Sequence, residues 1–206
     1  FCSINPNWGI QAIKELERCL SEGAQGIGEL HPTNQFLNLT NKKILQPMMN
    51  LASTEKIPIT IHSSEPVGHQ YPGKGNSTPE KLYAFIQLFP ENIIILAHWG
   101  GGLLFYELMK EVKQVFKNVL YDTATTSFLY NPDIFQTAKR LVGSEKIIFG
   151  SDYPLLKPKR ILKEMEGLDE EDIENITITV KKAYDEPETT EPETTEPETT
   201  EPETTE

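Results

Sequence analysis

Residues 92–98 read NIIILAH. From Ile93 to Ala97 the run is apolar without a break. A strand with one wet face alternates apolar and polar residues, whereas one buried on both faces does not. Strands of that second kind belong to parallel sheets covered by helices. The run closes on a histidine, so a titratable, metal-binding side chain stands where the strand leaves the core.

Working outward, comparable stretches recur: 1–5 (FCSIN), 26–30 (GIGEL), 58–62 (PITIH), 119–123 (VLYDT) and 146–152 (KIIFGSD). Between them lie segments with apolar residues at helical spacing, predicted as helices over 8–22, 42–54, 78–89, 103–116, 132–142 and 158–166. Thr78 is placed to cap the third, with Pro79 at its first position. Residues 63–77, rich in Gly, Pro, Ser and His, read as a long loop. Six strand–helix units in strict alternation predict an α/β fold with a parallel sheet. The pattern leaves two architectures open: a doubly wound open sheet, or a (β/α)8 barrel of TIM type with about six of its eight units present.

Composition narrows the function classes. The chain has 206 residues and a net charge of −12. Residues 186–206 repeat EPETT and hold nine glutamates without a lysine or arginine, so the other 185 residues carry only −3. A Pro/Glu/Thr repeat has nothing apolar to bury and is expected to be a disordered acidic tail. No basic cluster exists for gripping phosphates, which argues against nucleic-acid partners. No apolar run approaches the ~18 residues of a membrane helix. Two cysteines, Cys2 and Cys19, form no CxxC and fit a reducing, cytoplasmic setting. Residue 1 is Phe and falls within a predicted strand, which points to missing upstream sequence.

The polar residues at strand ends carry the chemistry. Glu29 and His31 close the 26–30 stretch, two apart and so on one side of the strand. His62 closes PITI, His98 closes NIIILA and Asp152 closes KIIFGS, while Asp122 lies near the end of VLYDT and is expected to orient a ligand or loop. His69 and Tyr71 fall in the 63–77 loop, where they are placed to touch substrate or order the loop. In a parallel barrel, functional groups stand at this rim. Histidine and carboxylate from several strands are what a metal site needs. A lone histidine at a strand end is more often a hydrogen-bonded structural residue; three such groups on separate strands favour the metal reading. Gly100, Gly101 and Gly102 allow close backbone approach and an anion site at a helix start. No GxGxxG or GxxxxGK[ST] accompanies them.

GIGELHPTNQ, ITIHSSEPVGHQYPGKG, LAHWGGGLLFY and IIFGSDYPL, in this order, resemble the amidohydrolase-related branch of the amidohydrolase superfamily. The resemblance covers 1–176, leaving 177–185 as a connecting segment. It implies a (β/α)8 barrel, a divalent metal, zinc, and a small-molecule substrate. On it, His62 matches a metal-ligand histidine. His98 matches a second ligand or a substrate-polarising catalytic group. Asp152 matches the aspartate that contacts metal and takes a proton from water. Glu29 stands where relatives carry a bridging carboxylate or a lysine. His31, His69 and Tyr71 are the substrate-facing candidates. The implied activity is hydrolysis of a C–N or C–O bond; decarboxylation of a small carboxylic acid and a degenerate scaffold are the alternatives. A barrel short of two strands leaves two open parallel edges, which invite pairing with other chains as a homo-oligomer. The chain lacks the His-x-His that opens the family's first strand, and residues 1–5 count back to its third. The 206 residues alone are therefore expected to hold metal weakly and turn over little.

Overall fold

A computed structural model of the chain describes residues 1–181. Five strands form one parallel sheet: β1 (Ile27–Leu30), β2 (Ile59–Ile61), β3 (Ile94–Leu96), β4 (Val119–Asp122) and β5 (Ile147–Ile148). Their order across the sheet is their order in the chain. A doubly wound sheet reverses direction at a switch point. A barrel sets each new strand beside the last, and this sheet does the same.

Eight α-helices among the described residues complete the units: α1 (Ile10–Ser21), α2 (Lys42–Glu55), α3 (Pro79–Leu88), α4 (Lys110–Val115), α5 (Thr126–Leu129), α6 (Ile134–Val142), α7 (Pro158–Glu164) and α8 (Glu170–Lys181). β2 and β3 are buried at every position, as strands of a sheet covered on both faces are. Leu45, Met48, Met49 and Ala52 of α2 enter the same core as Leu82, Phe85 and Ile86 of α3 and Phe135 and Ala138 of α6. Each such Leu, Met or Phe contributes roughly 1.5–3 kcal/mol by leaving water. No helix among the described residues is long and apolar enough to cross a membrane.

Five elements differ from expectation; one is α5, a four-residue helix where none is predicted. Residues 1–5 form no strand; only Cys2 bridges to Ile27, through Cys2 N to the Gly26 carbonyl at 2.9 Å and Gly28 N to the Cys2 carbonyl at 3.0 Å. The chain turns away because Asn5 caps a 3-10 turn beginning at Pro6. The helix expected over 103–116 shrinks to α4, preceded by a 3-10 segment, His98–Leu108, in which Trp99, Gly100, Gly101 and Gly102 are left-handed. β5 stops after Ile148 because the Phe149 amide donates to the Ile176 carbonyl of α8 instead of continuing the ladder, 3.0 Å. α8 itself was not anticipated, although Glu170, Glu171 and Asp172 in its first turn are the acidic start that a helix dipole favours. The expected disordered tail at 186–206 lies outside the described residues, as does the connecting segment beyond Lys181.

Candidate metal centre

β1 and β2 align Leu30 with Ile61, so Glu29, His31 and His62 project from one side of the sheet. The register predicts a ring beside a ring, and His31 stacks on His62 with centroids 4.1 Å apart. His98 is different. β2 and β3 align Ile61 with Leu96, so a regular extension would aim residue 98 opposite to His62. Instead, His98 adopts φ +55° and Trp99 φ +57°, and the left-handed turn swings the imidazole back. Left-handed backbone costs a non-glycine residue roughly 1–2 kcal/mol. Three contacts hold it: His98 N donates to Asp122 Oδ1 at 2.8 Å, Trp99 Nε1 donates to Thr126 Oγ1 at 2.9 Å, and the fully buried Trp99 ring packs edge-on to Phe135.

The turn also needs its glycines. A Cβ on Gly101 would lie 2.5 Å from the Ser64 carbonyl oxygen, so the loops after β2 and β3 touch backbone to backbone. Ser64 exchanges hydrogen bonds with Ser77, and its hydroxyl also donates to the Lys74 carbonyl.

Glu29, His62 and His98 converge, each offering a ligand atom within 4.8 Å of the others'. His62 Nδ1 is 3.1 Å from Glu29 Oε1, and His98 Nε2 is 3.7 Å from the same oxygen. Two donors about 2.1 Å from one ion at a tetrahedral angle stand about 3.4 Å apart. The separations bracket that value.

Hydrogen bonding on the far side of each ring fixes what the near side presents. His62 Nε2 donates to the Lys74 carbonyl at 3.0 Å. The Thr125 hydroxyl donates to the Ala124 carbonyl at 2.7 Å, so its oxygen accepts from His98 Nδ1 at 2.9 Å. With Nε2 of His62 and Nδ1 of His98 carrying protons, His62 Nδ1 and His98 Nε2 are the ring atoms turned toward the carboxylate; a proton on His62 Nδ1 donates to Glu29, and its loss frees that nitrogen to ligate. Metal-ligating histidines are held in this way by an outer partner. The donor set therefore fits a divalent ion.

Charge confirms the tension. Burial opposes a charged His62, but the hydrogen bond and charge of Glu29 outweigh it and raise its pKa. Burial likewise opposes ionised Glu29, and the His62 bond with the neighbouring imidazoles still lowers its pKa. Burial raises the carboxyl of Asp122 even though it accepts from His98 N and Ala124 N.

The other candidates surround this group. A cavity of about 610 Å³ is lined by Glu29, His31, His62, His98, Asp152 and the loop pair His69 and Tyr71, among others. Asp152 stands apart from the three converging groups: it is exposed, at φ +64°, on the cavity wall. His31 has both nitrogens satisfied, by Asn34 N at 3.3 Å and the Gly73 carbonyl at 3.0 Å, and serves as a wall. Lys74 and Thr125 were not singled out from sequence. Lys74 acts through its carbonyl, which no side-chain pattern reveals; the position of Thr125 just past a strand end was the available signal.

The amidohydrolase family model matches residues 1–187. The chain belongs to the amidohydrolase family. No curated protein matches it at a significant level. Among solved structures, an amidohydrolase-type protein from Staphylococcus aureus is similar at TM-score 0.65 and 22% identity, covering 84% of this chain and 68% of that one. A dihydroxybenzoic acid decarboxylase from a Polaromonas species, with bound manganese and 2-nitroresorcinol, gives 0.64 and 18%, covering 84% and 63%. A 4-oxalomesaconate hydratase from Rhodopseudomonas palustris gives 0.59 and 21%, covering 81% and 57%. This amidohydrolase chain thus spans less than two thirds of the length of two of them. At these identities the likeness establishes the barrel-type fold, on which a named decarboxylase and a named hydratase occur.

Proposed function

We propose that the protein is a metal-dependent hydrolase acting on a C–N or C–O bond of a small molecule. One observation carries this reading: the far nitrogen of both His62 and His98 is tied to a fixed acceptor, which turns their near nitrogens toward Glu29. Glu29, His62 and His98 would hold the ion. When bound, a divalent ion supplies Lewis acidity to the cavity. Zinc suits two imidazoles and a carboxylate, and manganese is the competitor to test. Because the His98 lone pair is used as a donor, His98 serves here as ligand rather than as proton donor. Asp152, an exposed carboxylate on the same wall, accepts the proton of the attacking water. Thr125 and the Lys74 carbonyl keep the two rings in the productive tautomer.

A second reading, decarboxylation of a small aromatic acid, draws on the aromatic wall formed by Tyr71 and Phe128, which accepts a flat ring. The two are separated by assaying the zinc- and manganese-loaded full chain on ester, lactone and amide panels and for CO2 release from aromatic acids. Metal content at a fixed, saturating level of free zinc or manganese tests the centre itself. Saturable metal lost in His62→Ala supports it. A metal content equal to background, with no turnover in either assay, leaves a non-catalytic scaffold as the reading.

A further inference from the structure

On the flank of β1, outside the metal cavity, two cysteines that are distant in sequence come together. Cys2 is buried in the extended start of the chain, and Cys19 is half-buried in the last turn of α1. Both thiols are free. Two backbone bonds bring them to one place. As α1 ends, Ala24 N donates to the Cys19 carbonyl at 3.0 Å; two residues on, the Gly26 carbonyl accepts from Cys2 N at 2.9 Å. Cys2 belongs to the apolar core, and Cys19 packs against that core. The Cys2 thiol hydrogen-bonds with the Cys19 thiol, while Glu15 and Arg18 reach it through charge alone. Among the described residues no third metal-ligating atom joins the two sulfurs closely, so the pair is not a metal site.

The two thiols are unequal. Cys19 Sγ lies 3.7 Å from Arg18 Nη2 and 3.7 Å from Glu15 Oε1, on the accessible side, and meets a reagent first. Burial, then the hydrogen bond and charge of Cys19, push the Cys2 thiol up to about 11, against the pull of Arg18. Part of that elevation is lent by Cys19 and disappears once the Cys19 sulfur is capped. The segment that carries Cys2 also supports β1. The Cys2 carbonyl accepts from Gly28 N at 3.0 Å, and the Ser3 hydroxyl donates to the Glu29 carbonyl at 3.3 Å.

We propose that Cys2 and Cys19 are a redox modification site, at which a small disulfide of the glutathione class drives formation of an intrachain bond that staples residues 1–3 to α1. The Cys19 thiolate attacks one sulfur of oxidised glutathione, forming a mixed disulfide and releasing one glutathione thiolate. Cys2, in its deprotonated form, then attacks the Cys19 sulfur. The Cys2–Cys19 bond forms, and the second glutathione leaves as thiolate. The protein gives up two electrons and two protons, and oxidised glutathione becomes two molecules of the reduced form. The site is independent of the metal centre and of the reaction proposed there.

The test equilibrates the reduced full chain with mixtures of reduced and oxidised glutathione, quenches with acid, and maps the product with trypsin without reduction. Cleavage after Lys14, Arg18 and Lys42 places the cysteines on separate peptides, 1–14 and 19–42. These two peptides are expected to be linked, in a monomeric product. The native chain should form the link at a glutathione balance about tenfold or more reducing than the same chain needs in concentrated urea, because the fold holds the thiols together. The oxidised chain should unfold at higher urea than the reduced one. Cys2→Ser should stop at the mixed disulfide on Cys19, and an unmodified Cys19 there overturns the assigned order of steps. A glutathione adduct that persists on the native parent chain, a disulfide joining two chains, or no linked peptides overturns the proposal. So does a link that forms no more readily in the native chain than in urea, or an oxidised chain no more resistant to urea. Should Cys2→Ser fail to fold, the peptide map and the native-to-urea comparison on the parent chain decide alone.

Discussion

Two polar clusters interrupt the apolar interior, and they are built on opposite logic. Around Glu107, every acceptor is answered: Lys146 Nζ donates to both carboxylate oxygens at 3.0 and 2.9 Å and to the Phe116 carbonyl at 2.8 Å, and the Tyr121 hydroxyl donates at 2.8 Å. Burial and the Glu107 charge push the Tyr121 phenol far up, so it stays a donor. Around Glu29, one carboxylate oxygen faces the near nitrogens of two imidazoles, at 3.1 and 3.7 Å. A saturated polar cluster ties the fold together. One that turns two imidazole nitrogens and a carboxylate toward one point is arranged to hold a cation.

The largest effect should come from breaking the saturated cluster. Lys146→Met leaves the fully buried Glu107 carboxylate without its cation and is expected to lower unfolding stability by about 3–5 kcal/mol. Adding Glu107→Gln should recover much of that in urea melts. Failure of the double variant to recover would mean that the pair is not the unit it appears to be.

The next effect joins the two regions. Gly101→Ala places a Cβ 2.5 Å from the Ser64 carbonyl oxygen, at φ +60°, and should cost roughly 1–3 kcal/mol. Because Ser64 holds the Lys74 carbonyl, which in turn holds His62, the same variant should lose metal affinity. Calorimetric titration with zinc alongside the melt checks both; stability loss with unaltered affinity would uncouple the loops from the site.

Thr125→Val removes the nearer acceptor of His98 Nδ1, at 2.9 Å, and leaves it only the Ala124 carbonyl at 3.3 Å, while preserving shape. Metal affinity should fall about 10–100-fold, with the melting curve nearly unmoved. That is the reverse of the Lys146 result, and it is the sharpest test of the contrast.

The smallest effect belongs to a third contact, at the partly exposed Lys139. Lys139 of α6 pairs with Asp169 and Asp172 beside and within α8, and it holds the Asp172 carboxyl below its usual pKa. A depressed carboxylate stabilises fully above its unfolded pKa of about 3.9, and loses that contribution as pH falls through the lower folded value. Urea midpoints at pH 6 and pH 3 should therefore differ slightly more for the parent chain than for Lys139→Met.

How much of this could be seen in the sequence depended on range. Continuous apolar runs such as residues 93–97 announce buried parallel strands because burial on both faces is a local demand, and their order then follows from strict alternation. The residues that converge, Glu29, His62 and His98, stood out as polar groups ending apolar runs. What stayed hidden were non-local hydrogen bonds. The length of β5 is set by a carbonyl on α8, the tautomer of His62 by a carbonyl in a loop, and the shortened helix after β3 by a glycine meeting Ser64.

The left-handed turn at residues 98–102 has a consequence for anyone who would transplant this centre. Copying a histidine onto the end of another parallel strand would aim it at the wrong side, because strand geometry alternates and His98 sits on the wrong beat. The portable unit is the whole segment HWGGG together with a neighbouring loop thin enough to receive Gly101. A graft of the imidazole alone carries the chemistry without its compass.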